Sequence, residues 1–88
     1  MSYILSDHVK RRADERGISL EVIDQIMNGP QQIVDEIEIG QRVYQSIITF
    51  SKNKTYLVRV FVNTEKEPNV VKSVYRTSKT DKYYEGKV

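Results

Sequence analysis

Leu20-Glu21-Val22-Ile23-Asp24-Gln25-Ile26-Met27-Asn28-Gly29-Pro30-Gln31-Gln32-Ile33-Val34 decides the fold of this chain. Up to Met27 the apolar residues Leu20, Ile23, Ile26 and Met27 recur at helical spacing and form one stripe. Asn28-Gly29 suits a left-handed turn, and Pro30 cannot continue a helix. Beyond Pro30 the apolar period becomes two. A helix that packs one face therefore gives way to strands at Pro30.

Working upstream, Ser19 is the predicted cap of that helix, and Ser6 or Asp7 the cap of an earlier one. The earlier helix runs to about Arg16 and stops at Gly17. Working downstream, Ile33–Ile39 reads as a strand containing three acids, and Gly40-Gln41 turns the chain. Arg42–Ser51 is a second strand and Lys52-Asn53-Lys54 the next turn. Tyr56–Val62 is a third, with Tyr56, Val58, Val60 and Val62 on one face and Leu57, Arg59 and Phe61 on the other. A polar loop at Thr64–Asn69, containing Pro68, leads to a fourth strand, Val70–Arg76. Short turns favour an antiparallel meander. The predicted fold is α+β: two N-terminal helices on one face of a four-stranded antiparallel sheet. Ile23, Met27, Val58 and Val60 are expected in the shared core.

The 88 residues suit one domain, 1–88, with one modest core. No apolar run is long enough to span a membrane. The N-terminus lacks the basic start and apolar region of a secretion signal. With no cysteine there are no disulfides and no thiolate metal ligands. One histidine cannot complete a tetrahedral zinc shell, so neither metal nor cofactor is expected. A cytoplasmic setting is the simplest expectation. The net charge of +2 is unevenly spread. Asp35, Glu36 and Glu38 form an acidic patch. Lys72, Arg76, Lys79, Lys82 and Lys87 outnumber Asp81 and Glu85 toward the C-terminus. A basic end is compatible with nucleic acid and equally with a solvated surface.

Three groups of residues carry candidate chemistry. His8, Arg12 and Arg16 stand at i, i+4 and i+8 of the first helix, which stacks an imidazole and two guanidiniums along one side. Arginines so placed suit phosphate. The competing reading is a surface row paired with nearby acids. Arg59 interrupts an apolar strand, either covering Leu57 and Phe61 with its stem or facing a phosphate from a rigid support. Tyr75-Arg76-Thr77-Ser78-Lys79 and Lys82-Tyr83-Tyr84 mix cations, hydroxyls and aromatics at the end of the last strand. Cations there can bind phosphates and tyrosines can stack on bases, or the tyrosines can dock the tail on the core.

His8-x3-Arg12-x3-Arg16-Gly17-Ile18-Ser19, the Asn28-Gly29-Pro30 helix end and Val74-Tyr75-Arg76-Thr77-Ser78-Lys79 together resemble small bacterial domains of unknown function related to the BrnT and RelE toxins. The resemblance covers nearly the whole chain. It implies the fold shared by RelE, barnase, EndoU and the colicin ribonucleases. It further implies a metal-independent endoribonuclease of toxin–antitoxin type, with RNA as substrate, an antitoxin protein as partner and no membrane association. Such cleavage uses the 2′-hydroxyl as nucleophile and needs a base, an acid and cations. His8 fits the base, Arg12, Arg59 and Arg76 the phosphate and its transition state, and Lys79 or Tyr83 the remaining proton transfer. Arg16, Tyr75, Lys82 and Tyr83 are the candidate substrate contacts. The expectation is that these residues converge on one groove. The alternatives are a catalytically silent RNA- or protein-binding module of the same fold, and a small regulatory or interaction module whose sheet edge or groove receives another chain.

Overall fold

The computed structural model describes residues 3–84. The element order is β1 (Tyr3–Leu5), α1 (Asp7–Glu15), α2 (Leu20–Asn28), β2 (Gln32–Glu36), β3 (Gln41–Thr49), β4 (Thr55–Asn63), β5 (Asn69–Thr77) and α3 (Thr80–Tyr83). A short 3₁₀ turn at Ile37–Ile39 joins β2 to β3, and a tight turn through Ser51–Asn53 joins β3 to β4.

Both long helices start on a serine. Ser6 Oγ accepts from the Val9 N–H and Ser19 Oγ from the Val22 N–H, each at 3.2 Å. Such a cap stabilises a helix by about 1 kcal/mol. Gly17 ends α1 with φ +68, a left-handed conformation that favours glycine. It brings the Ile18 N–H back to the Ala13 carbonyl at 2.8 Å. Ile18 is thereby buried, and α2 begins immediately after Ser19.

The sheet order is β1-β5-β4-β3-β2. β2 to β5 form the expected antiparallel succession, whereas β1 lies parallel to β5, with Tyr3, Ile4 and Leu5 opposite Asn69, Val70 and Val71. The architecture is thus α+β with a five-stranded mixed open sheet and three helices. This corrects the expected four antiparallel strands and two helices. β1 has only three residues and α3 only four, too few to show a period. The partner of β1 lies at the far end of the chain. The first expected strand is also shortened. Glu36 already pairs with Gln41, so Ile37–Gly40 must carry the reversal. Likewise Thr49 pairs with Thr55, which places Phe50 and Ser51 in the hairpin tip rather than in a strand.

α1 and α2 cover one face of the sheet. Val9, Ala13, Ile18, Ile23, Ile26 and Met27 pack there against Tyr44, Val58, Val60, Val62, Val71 and Val74. Ile23, Met27, Val58 and Val60 are fully buried in that core. Removing one such side chain from water stabilises the fold by about 1.5–3 kcal/mol. Leu20 departs from its stripe: in the first turn of α2 it remains 46% exposed. The opposite face has its own smaller buried patch. Val43, Gln45 and Leu57 are fully buried on it, and α3 folds over it through Tyr83.

Candidate functional site

Strand alternation gives neighbouring residues opposite sides. In the β4–β5 ladder Val58 is opposite Arg76 and Arg59 is opposite Tyr75. Val58 belongs to the helix-covered core, so Arg76 emerges on the helix side. Arg59 and Tyr75 emerge on the other. The structure therefore separates the two arginines expected to share one groove, although they stand on adjacent strands.

Arg76 is held by surfaces rather than by acceptors. Its guanidinium carbon lies 4.5 Å from the Phe50 ring centre and 4.6 Å from that of Tyr56. The two rings meet edge to face at 5.5 Å. They come from opposite ends of the β3–β4 hairpin tip, which the Phe50 N–H closes onto the Lys54 carbonyl at 2.7 Å. Lys52 and Asn53 occupy left-handed conformations in that tip, φ 60 and φ 58. On a third side sits Gly17. A Cβ there would lie 3.2 Å from Arg76 Nη2, so the residue that ends α1 also leaves room for the guanidinium. Among the described residues the Arg76 guanidinium has no hydrogen-bond or ion-pair partner.

Two hollows adjoin it. One, of about 260 Å³, is lined by Phe50, Ser51, Lys52, Lys54, Tyr56 and Arg76. The other, of about 560 Å³, is lined by Arg16, Ser73, Tyr75 and Arg76. Arg16 reaches the latter from the end of α1, donating through Nη1 to the Val74 carbonyl at 2.6 Å. Four cations and no carboxylate line the two hollows. Opposite charge is what such a surface attracts, and guanidinium forks match phosphate oxygens.

The remaining expected residues lie elsewhere or are otherwise engaged. His8 and Arg12 are exposed on α1, and Arg12 pairs with Glu15 at 3.6 Å. Arg59 donates through Nε to Gln45 Oε1 at 2.9 Å and through Nη1 to the Tyr75 hydroxyl at 3.0 Å. Its guanidinium lies 4.7 Å from the Tyr83 ring centre and 5.2 Å from that of Phe61. Gln45 is fully buried and donates on to Gln32 Oε1 and the Tyr83 carbonyl. Lys82 approaches the Tyr83 ring at 5.3 Å. Lys79 precedes α3, lining a shallow hollow with Ser78, Thr80, Asp81 and Lys82. The structure thus gathers Arg16 with Arg76, and Arg59 with Tyr75, Tyr83 and Lys82. Tyr75 borders both groups. Among the described residues no three His, Cys, Asp or Glu side chains are grouped as metal donors.

Phe50, Lys52, Lys54, Tyr56 and Gly17 were absent from the sequence-derived site. Their signal is two aromatic residues flanking a Lys-Asn-Lys tip, a pattern that gains meaning only once Arg76 is known to lie between the rings. No helix among the described residues is long and apolar enough to cross a membrane. Neither a curated protein nor a solved structure matches the chain. Residues 5–76, from the end of β1 to Arg76 itself, match the model of the domain of unknown function DUF4258, and the chain belongs to that family.

Proposed function

We propose that this domain binds single-stranded RNA through its phosphodiester backbone, with Arg76 as the central contact. One observation carries the reading: Arg76 is fixed between Phe50 and Tyr56, yet its donors have no partner among the described residues. A guanidinium immobilised before binding loses little conformational freedom when it takes a phosphate. Arg16 on one side and Lys52 and Lys54 on the other extend the positive surface over two adjoining hollows, which suits a chain of phosphates better than one. The resemblance of the His8–Ser19 and Val74–Lys79 stretches to RelE-related domains favours RNA over DNA.

The test is anisotropy of a fluorescent single-stranded RNA across a salt series. Arg76→Ala is expected to weaken binding about tenfold and to lower the salt slope by about 0.7, as for one phosphate contact on a single strand. Equal affinity and slope in wild type and variant would remove the reading.

Metal-independent endoribonuclease activity, with a toxin role, is the second reading. It draws on the row His8, Arg12, Arg16, whose last member lines the Arg76 hollow. The helical rise of 1.5 Å per residue sets His8 about 12 Å behind Arg16 along the axis. A general base must come within hydrogen-bond reach of its proton, so this spacing favours binding over cleavage at Arg76. RNA recovered intact after incubation, with harmless induced expression, fits the binding module. EDTA-insensitive cleavage to 2′,3′-cyclic phosphate ends, lost in His8→Ala, would establish the nuclease instead.

A further inference from the structure

β5 has a bare stretch of edge. β1 pairs with it only at Asn69, Val70 and Val71, whereas β5 continues to Thr77. Beyond Val71 no strand among the described residues pairs with that side. The Val74 carbonyl points there, since it accepts from Arg16. In an extended strand the N–H and C=O of one residue project to the same side, and residues two apart repeat the direction. The backbone groups of Val74 and Arg76 therefore both face the bare edge. The 560 Å³ hollow lies along it. Its lining combines Ser73 and Tyr75 from one sheet face with Arg76 from the other, which requires an opening that wraps around the strand edge.

We propose that this edge takes an extended acidic peptide from a protein partner as an added strand in line with β1. Backbone pairing supplies affinity in such strand addition, and side chains supply selectivity. The selectivity follows from the lining. Its two charged residues are Arg16 and Arg76, with no acid beside them. Arg16 guards the edge by holding the Val74 carbonyl, one way proteins blunt an unpaired strand. An acidic peptide offers Arg16 a carboxylate in exchange for that neutral acceptor, and its own N–H takes over the Val74 carbonyl. Charge-assisted bonds are the stronger kind, so the exchange is favourable. A neutral or basic strand offers no such exchange. The inference stands apart from the RNA reading, although both use Arg76.

The test uses the full chain and a fluorescein-labelled peptide of alternating Glu and Val. It is expected to bind, to slow amide hydrogen exchange at Val74 and Arg76, and to bind Arg16→Gln more weakly. A Lys–Val peptide, and a Glu–Val peptide N-methylated at alternate residues, are expected to bind at least about tenfold more weakly, the worth of one or two hydrogen bonds. An N-methylated peptide that binds as well as its parent would overturn the added strand. So would protection confined to other strands, or RNA binding without peptide binding. Dimerisation of the chain abolished by Arg16→Gln, without peptide binding, would give the edge to a second copy and overturn the peptide. Peptide binding without RNA binding would keep this inference and remove the RNA reading.

Discussion

Arg59 and Arg76 stand on adjacent strands, both half-buried and both stacked on aromatic rings, yet they do opposite things. The hydrogen-bond donors of Arg59 go to Gln45 and Tyr75, and the Tyr83 ring closes over it. It joins β4 to the fully buried Gln45 and, through the Gln45 amide, to the end of α3. Arg76 has rings for support but no acceptor among the described residues. Residue type alone makes both candidate phosphate ligands. The partners decide between them: an arginine anchored by two side-chain hydrogen bonds supports structure, and one that is held by rings alone is available for a ligand.

The largest effect should come from Arg59. Arg59→Ala strips a buried acceptor, Gln45 Oε1, of its donor and removes the stacking on Tyr83. An unsatisfied buried acceptor costs about 1–3 kcal/mol and a partly exposed cation–π contact about 0.5–1 kcal/mol. Urea denaturation should therefore show a loss of about 2–3 kcal/mol. Arg76→Ala removes only its ring contacts and should cost about 1 kcal/mol. Equal losses, or a larger one at Arg76, would break the distinction between the two faces.

Gly17→Ala comes next and sharpens the comparison. The left-handed conformation at φ +68 costs a residue with a Cβ about 1–2 kcal/mol. The same Cβ would crowd Arg76 Nη2 at 3.2 Å, so the guanidinium must shift by a few tenths of an ångström. Stability and RNA affinity should fall together in this variant, whereas Arg76→Ala loses mainly affinity. A Gly17→Ala protein that keeps full RNA affinity despite its lost stability would show that the fixed guanidinium position is unimportant.

The helix layer and the even positions of β4 were legible in the sequence because they repeat. Ile23, Ile26 and Met27 follow the helical period, and Val58, Val60 and Val62 the strand period; all are buried. Residue identity also marked Arg16, Arg59 and Arg76 as notable. What one strand's alternation cannot give is its register against the next. Arg59 sits opposite Tyr75 rather than Arg76, and this offset of one residue reverses the face. A shift in register between Phe61 and Val62 further hides the parity of β5. β1 escaped notice because three residues show no period and their partner lies more than sixty residues away. Phe50 and Tyr56 stand on either side of a turn and become neighbours only when the hairpin closes.

The smallest effect should come from Tyr3, which lies outside both arginine environments and reports on the helix layer alone. Its hydroxyl donates to Asp24 Oδ1 at 2.8 Å and so ties β1 to α2. Burial, then the hydrogen bond to Asp24, then the charge of that carboxylate push its pKa from 10.0 up to about 12. Each of these causes favours the protonated phenol. The folded pKa lies above the unfolded one, so the contribution is fully present below about pH 10 and is lost as pH rises toward 12. Tyr3→Phe should cost about 0.5–1 kcal/mol at neutral pH, the net worth of one hydrogen bond. It should also flatten the decline in stability between pH 10 and 12. The RNA affinity of this variant should match wild type, because the helix layer meets the Arg76 hollows at Arg16 and Gly17, at the other end of α1. A decline above pH 10 as steep in Tyr3→Phe as in wild type would assign it to another group. Weakened RNA binding would mean that the packing of β1 and α2 reaches Arg76, so that the two arginines differ through the whole helix layer and not only through their immediate partners.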